Sequence, residues 1–253
     1  MTALLMDIGN SRLKWGVLDD HAIRRTGHIS QQKIREQGLA VLTTKLPRRV
    51  DVVFASNVAG TSFATRLSGV VGMHCNADIR FAHSESKACG VTNSYRQARR
   101  LGVDRWVAMI GAWSELKAEC LVVDAGTALT IDALDCDGRH LGGQILAGVT
   151  MMTETLATRT SDVPNIRRRA ASQERGMEMF ASTTTGAIGH GAANAVIGAI
   201  ERALSVMREN GLSPTTILTG GDASRILKSL GEESIHRPHL VLQGLAQLLE
   251  CPK

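Results

Sequence analysis

Aromatic side chains are scarce. Phenylalanine, tryptophan and tyrosine make up 3% of 253 residues, with Tyr95 the single tyrosine and Trp15, Trp106 and Trp113 the only tryptophans. The core must therefore be aliphatic, and too few rings exist to stack the bases of a single strand. No apolar run approaches the roughly 20 residues that span a bilayer, so no membrane partner is expected. The five cysteines (Cys75, Cys89, Cys120, Cys136, Cys251) are odd in number, widely spaced and free of any C-x-x-C pair. That pattern points to reduced thiols and away from a disulfide framework or a zinc site. No basic segment or cleavage site precedes the first apolar run, and a cytoplasmic protein is expected. A helix-fronted phosphate loop is also missing, because G-x-x-x-x-G-K-[ST] occurs nowhere.

The composition is otherwise that of an ordinary globular chain, 43% hydrophobic and 21% charged. Its length lies between one large domain and two modest ones. A net charge of +5 suits an anionic small substrate or a nucleotide and would also suit nucleic acid. The basic residues, however, come as scattered pairs (Arg24-Arg25, Arg48-Arg49, Arg99-Arg100) and one triplet, Arg167-Arg168-Arg169, with no long basic tail. A solvated surface explains them, and no nucleic-acid partner is expected.

The stretch Leu4-Leu5-Met6-Asp7-Ile8-Gly9-Asn10-Ser11-Arg12-Leu13-Lys14-Trp15 organises the rest. An apolar run that ends abruptly in a carboxylate reads as a buried strand, and residues 13–18 read as its antiparallel partner. A carboxylate at a buried strand end is costly unless a cation or hydrogen-bond donors meet it. Gly9 allows close approach of a ligand to the backbone, and Asn10 and Ser11 can line a phosphate. Alone, the stretch is equally an ordinary hairpin. It returns, however, as Cys120-Leu121-Val122-Val123-Asp124-Ala125-Gly126-Thr127-Ala128, at an offset of 117 (124 − 7). Asp124, Gly126, Thr127 and Ala128 then match Asp7, Gly9, Asn10 and Ser11. An offset near half the length is what duplication leaves. Two similar halves, 1–118 and 119–253, are expected to face each other across a cleft.

Between these landmarks the periodicity predicts helices over 30–46, 61–70, 103–119, 149–158, 186–210 and 240–250. It predicts strands over 50–56, 79–82, 142–148 and 216–222, a polar connection over 84–93, a hairpin turn at 135–138 and an irregular link over 159–165. Asp104 falls in the first turn of its helix, where an anion is favoured; a plain helix-start carboxylate is the competing explanation. Gly220-Gly221-Asp222 at a strand end suits an adenosine lying over bare backbone, and equally a tight strand-to-helix turn. His236 and His239 lack a third ligand nearby and receive no role. Gly186, Gly189, Gly191 and Gly198 in the long helix suggest close packing on another element or subunit.

Glycine-bearing strand ends with aspartates, two of them related by repetition, resemble the acetate/sugar kinase and actin superfamily. More narrowly, Asp7-Ile8-Gly9-Asn10-Ser11 with Lys14, Leu101-Gly102-Val103-Asp104-Arg105, Asp124-Ala125-Gly126-Thr127-Ala128 and Gly142-Gly143-Gln144-Ile145 resemble the type III pantothenate kinases. Arg159-Thr160 before Val163-Pro164, Thr219-Gly220-Gly221-Asp222 and the run from His239 to Leu245 extend the likeness over essentially the whole chain. The chain departs from the family's habits at Ala147, where proline is common, at Thr183, where asparagine is usual, and near Ala98, where a proline often stands.

The resemblance implies an α/β fold of two actin-like (ribonuclease H-like) domains with a central nucleotide cleft. It implies ATP-dependent phosphorylation of pantothenate, the first step of coenzyme A biosynthesis, in a homodimer. ATP phosphates would lie along Asp7, Ile8, Gly9, Asn10, Ser11, Arg12, Leu13 and Lys14 and at Thr127, with Gly220 and Gly221 beside the adenosine. Pantothenate would meet Tyr95, Gly102, Val103, Asp104, Arg105 and Thr184, with Asp104 as general base; whether Thr183 or Thr184 makes the contact stays open. Asp7 would hold Mg2+ through water. Asp124 would hold a monovalent cation (K+ or NH4+), or else serve the magnesium ion. The rival functions are a non-catalytic transcriptional accessory factor and a phosphohydrolase or ATPase of the same superfamily.

Overall fold

Ala3, Leu4, Leu5, Met6 and Ile8 are all fully buried, which is what an apolar run without alternation requires of a strand covered on both faces. They form β1 (Ala3–Ile8), the centre of a five-stranded sheet. The computed structural model describes residues 1–159, 179–230 and 234–251. β1 pairs antiparallel with β2 (Arg12–Asp19), which pairs with an edge strand, β3 (Ala22–Ser30). On its other side β1 pairs parallel with β4 (Val52–Asn57), and β4 with β5 (Ile79–Phe81). The edge strand is absent from the sequence reading: Arg24, Arg25, Thr26, Gly27 and His28 do not alternate apolar with polar, because this strand is largely exposed.

Leu4, Met6, Ile8, Leu13, Val53 and Ala55 cluster with Ile34, Leu42, Leu67 and Val71. The latter come from α1 (Gln31–Gln37), a 3-10 turn at Leu39–Leu42, and α2 (Thr61–Cys75). The helix expected over 30–46 is therefore two pieces. Gly38, at φ 76°, ends α1, and its amide caps back to the Ile34 carbonyl. The helix expected to stop at 70 runs on to Cys75, with Asn76 taking the left-handed position after it. Within the polar connection a two-stranded hairpin forms from β6 (Lys87–Ala88) and β7 (Val91–Thr92). Then α3 (Val103–Leu116) begins where the spacing turned helical.

The second sheet repeats the strand order of the first. β8 (Cys120–Ala125) pairs antiparallel with β9 (Ala128–Leu134), and β10 (His140–Ala147) flanks β9. β8 pairs parallel with β11 (Thr215–Thr219), and β11 with β12 (Ser234–His236). α4 (Val149–Arg159) and the long α5 (Thr184–Glu209) precede β11, and the short α6 (Ala223–Ile226) follows it. Leu121, Val123, Leu129, Ile131, Val196, Ile200 and Leu218 form its core. The Thr160 and Val163-Pro164 motif, the rest of the link over 159–165, and the arginine triplet lie outside the described residues.

The duplication is thus real, but one detail of its alignment needs correction. Asp7 lies opposite Lys14, whereas Asp124 lies opposite Thr130, so past the turn the offset is 116 (130 − 14). The first turn is one residue longer. Arg12, not Ser11, matches Ala128: Gly9 N donates to the Arg12 carbonyl and Gly126 N to the Ala128 carbonyl.

Two compact units make up the chain. One is Met1–Lys117 with Cys136–His140 and His239–Lys253; the other is Ala118–Asp135 with Leu141–Pro238. Continuous halves of 1–118 and 119–253 leave out these two returns. The last helix, α7 (Leu240–Glu250), packs on α3 and on β1, β2 and β4 of the first unit. Gly244 and Gly111 permit this: a Cβ on Gly244 would overlap the Val107 carbonyl, and one on Gly111 would lie 2.6 Å from the Leu240 carbonyl.

Candidate active site

In the first unit the opening turn is tied from behind. Gly9 N donates to Arg12 O (3.0 Å), Gln31 N to Ser11 O (2.9 Å), and Gln31 Nε2 to Gly9 O (2.9 Å). Gln31 is buried, and sequence reasoning missed it because a glutamine at a helix start carries no motif signal. Asn10 and Ser11 are exposed at the tip. Ile8 and Leu13 are fully buried in the core, so what they can offer a ligand is backbone.

Asp7 faces Lys14 across one ladder and Ser56 across the other. The Ser56 hydroxyl, itself buried, donates to Asp7 Oδ1 at 2.9 Å. Burial pushes the Asp7 carboxyl above its ordinary range, and the charge of Asp104 adds to that push. Lys14 and the Ser56 hydrogen bond pull the other way without cancelling it. Lys14 also acts on His239 at the start of α7, whose pKa is lowered first by burial and then by that charge.

Asp104 stands in the first turn of α3, after Gly102, with no side chain capping the helix. Its Oδ1 accepts from Arg105 N at 2.8 Å, and a Cβ on Gly102 would lie 2.8 Å from the same oxygen. The carboxylate therefore folds back into space that a side chain at 102 would contest. Arg105 is 6% exposed; its Nη1 donates to the Tyr95 hydroxyl at 3.1 Å, and its guanidinium carbon sits 5.9 Å from the Tyr95 ring centre. Tyr95 N donates to Asn93 Oδ1 (3.0 Å), and the Tyr95 ring stacks on His140. Tyr95, Gly102, Val103, Asp104 and Arg105 thus form one locality, electrostatically linked to Asp7.

In the second unit Asp124 takes the place of Asp7, flanked in the ladders by Thr130 and Thr219. Thr219 occupies the position of Ser56, but its buried hydroxyl has no hydrogen-bond partner among the described residues. Gly148 N donates to Thr127 O at 2.9 Å, and a side chain at 148 would run into the carbonyls of Gly126 and Thr127. Gly220, at φ 97°, lies so close to the Asp124 turn that a Cβ would come within 2.5 Å of Asp124 Oδ1. Gly220 is thus required by the turn itself. Gly221 beside it is exposed. Thr183 caps α5, its Oγ1 accepting from Gly186 N at 3.1 Å, and Thr184 is the exposed first helical residue. The glycines at 191 and 198 have nothing within 4 Å of a built Cβ, so among the described residues no packed element explains them.

Among the described residues no three His, Cys, Asp or Glu side chains gather into a metal cage, and no helix is long and apolar enough to cross a membrane. The sequence profile of the type III pantothenate kinases matches residues 3–206. A type III pantothenate kinase of Nitrosococcus oceani is 33% identical over 97% of this chain and 92% of its own. One from Aromatoleum aromaticum is 36% identical over 96% of each. Among solved structures, a conserved Campylobacter jejuni protein assigned to the Baf family of transcriptional activators shares the fold, with a TM-score of 0.62, 21% identity and coverage of 98% and 97%. A match over most of the chain to the family profile, and relatives above 30% identity along nearly its whole length, leave one assignment: this chain belongs to the type III pantothenate kinase family.

Proposed function

We propose that the protein transfers the γ-phosphate of ATP to the primary hydroxyl of pantothenate. The observation that carries this reading is the placement of Asp104 at the start of α3, in electrostatic reach of Asp7 and joined through Arg105 to Tyr95. Phosphoryl transfer asks for position and charge neutralisation more than for covalent chemistry. Asp104 takes the hydroxyl proton as the alcohol oxygen attacks the γ-phosphorus, and ADP departs. Arg105 and Tyr95, already bonded to each other, hold pantothenate, with Gly102 and Val103 giving backbone contacts and Thr184 a further one. Residues 7–14 receive the phosphates, and Thr127, Gly220 and Gly221 of the second unit serve the nucleotide.

Asp7 fits a divalent ion held through water. It is a carboxylate whose charge burial disfavours, so a cation restores what desolvation takes away. Bound there, Mg2+ supplies neutralisation of phosphate charge. Asp124, with the unpartnered Thr219 oxygen on the adjacent strand, offers the oxygen donors that K+ or NH4+ takes.

Leu141, Ile145, Met151, Leu156, Met179, Phe180 and Val206 are large apolar residues exposed on the second unit. They supply the surface for the homodimer, which sedimentation at micromolar concentration tests. A coupled ADP-release assay, with pantothenate omitted or added and potassium varied, tests the activity. Pantothenate-dependent ADP is the expected result. Phosphate release without pantothenate would favour the hydrolase, and no turnover with tight duplex binding would favour the accessory factor.

A further inference from the structure

One buried group beside the proposed pantothenate site is used by none of the roles above. His140 is 3% exposed. Its ring lies nearly parallel to that of Tyr95, 16° between planes and 6.0 Å between centres, and its Nδ1 is 3.1 Å from the Ser94 hydroxyl. The turn before it is packed into the same unit. Gly138, at φ 74°, sits so that a Cβ would lie 2.5 Å from the Gly90 carbonyl and 2.9 Å from the Trp113 ring, while Thr92 N donates to Gly138 O at 2.9 Å. Residues Cys136–His140 belong to the first unit although the adjoining strand segments belong to the second. The turn therefore carries an imidazole to the back of the one tyrosine in the chain.

We infer that His140 is a positioning residue for pantothenate, fixing the Tyr95 ring by stacking so that its hydroxyl stays on Arg105 Nη1. This rests on the reading of Tyr95 and Arg105 as substrate contacts. A phenol ring on a loop has two soft side-chain torsions. Arg105 restrains it at the hydroxyl, 3.1 Å away, and the imidazole restrains it along the face. With both in place the ring is set before substrate arrives, and ordering it adds nothing to the cost of binding. Without the stack, that cost returns to the binding step. The effect falls on pantothenate affinity and leaves ATP alone.

The test is a four-variant series: His140→Ala, His140→Phe, His140→Gln and Tyr95→Ala. Each is measured for the KM of pantothenate and of ATP, for kcat, and for pantothenate binding by calorimetry. An offset aromatic pair is worth a factor of about three to ten, so His140→Ala should raise pantothenate KM and Kd by about that factor. ATP KM and kcat should stay within about twofold. His140→Phe keeps the stack and loses the Ser94 link, and should bind pantothenate nearly as the parent does. His140→Gln keeps polar reach to Ser94 and loses the stack, and should behave as the alanine variant. If the alanine variant does not fold, the similarly sized Phe and Gln variants decide the matter alone. Equal pantothenate constants in Phe and Gln, or an equal rise in ATP KM, would overturn the inference. Tyr95→Ala separates the two levels: unchanged pantothenate binding there overturns the reading of Tyr95 as well, while a clear loss there with no effect at His140 overturns only the present inference.

Discussion

Replacing Gly244 with alanine probes how the helix bearing Asp104 is held. α7 crosses α3 at Gly244 and Gly111 with backbone against backbone, and the methyl group of an alanine at 244 would overlap the Val107 carbonyl. Overpacking of a tight core costs about 1–3 kcal/mol, and an obstacle made of backbone places this site at the upper end. Alanine returns about 1 kcal/mol of helix propensity. The net loss is then about 2 kcal/mol, or about 4–8 °C in Tm for a chain of this size. Gly198→Ala in α5 is the control, because nothing lies within 4 Å of its built Cβ; it should gain about 0.4–1 kcal/mol. Thermal unfolding by circular dichroism, run on both variants beside the parent, reads the difference. Because Asp104 stands in the first turn of α3, Gly244→Ala should also lower kcat more than Gly198→Ala does. A Gly244→Ala protein that melts at or above the parent temperature would refute the crossing geometry.

Three further outcomes follow from the ionisable groups. Asp7→Asn should stabilise the nucleotide-free protein by about 0.5–2 kcal/mol, since it removes a charge that burial disfavours, while abolishing turnover; a lower Tm by calorimetry would contradict that. Burial pushes the Cys75 thiol up to about 11 and Cys120 up to about 12. The folded chain keeps these protons that the unfolded chain loses near pH 8.5. Stability should therefore fall as pH rises from about 8.5 towards these values. Alkylation at pH 8 should label the exposed Cys136 quickly and leave Cys75 and Cys120 untouched until the protein unfolds, as mass spectrometry of timed aliquots would read.

Much of this architecture was legible where one signal dominated. β1 was visible because five of its six residues are apolar and fully buried. α3 was visible because its apolar residues, among them Val107, Ile110, Trp113 and Leu116, recur at helical spacing, and α7 falls on residues 240–250 as read. The repeat was visible through its two aspartates and glycines. β3 and β12 were not: β3 is exposed along most of its length and so has no buried face to alternate with, and β12 is only three part-buried residues, too short to show a period. The helix read over 30–46 failed at Gly38, whose positive φ only the fold reveals. At the site, the motif residues were legible, while Gln31, Ser56 and His140 were not. Each acts by touching a motif residue from another element, and that relation is tertiary.

The central claim is that Asp104 takes the proton from the attacking hydroxyl. Single-turnover transfer of labelled γ-phosphate from ATP to pantothenate by Asp104→Asn measures it directly. Asparagine keeps an acceptor for the Arg105 amide and so spares the helix start. Transfer should slow by about 10²–10⁴-fold, with pantothenate Kd and Tm close to those of the parent. Transfer at the parental rate would contradict the account and return Asp104 to the role of a helix-start carboxylate.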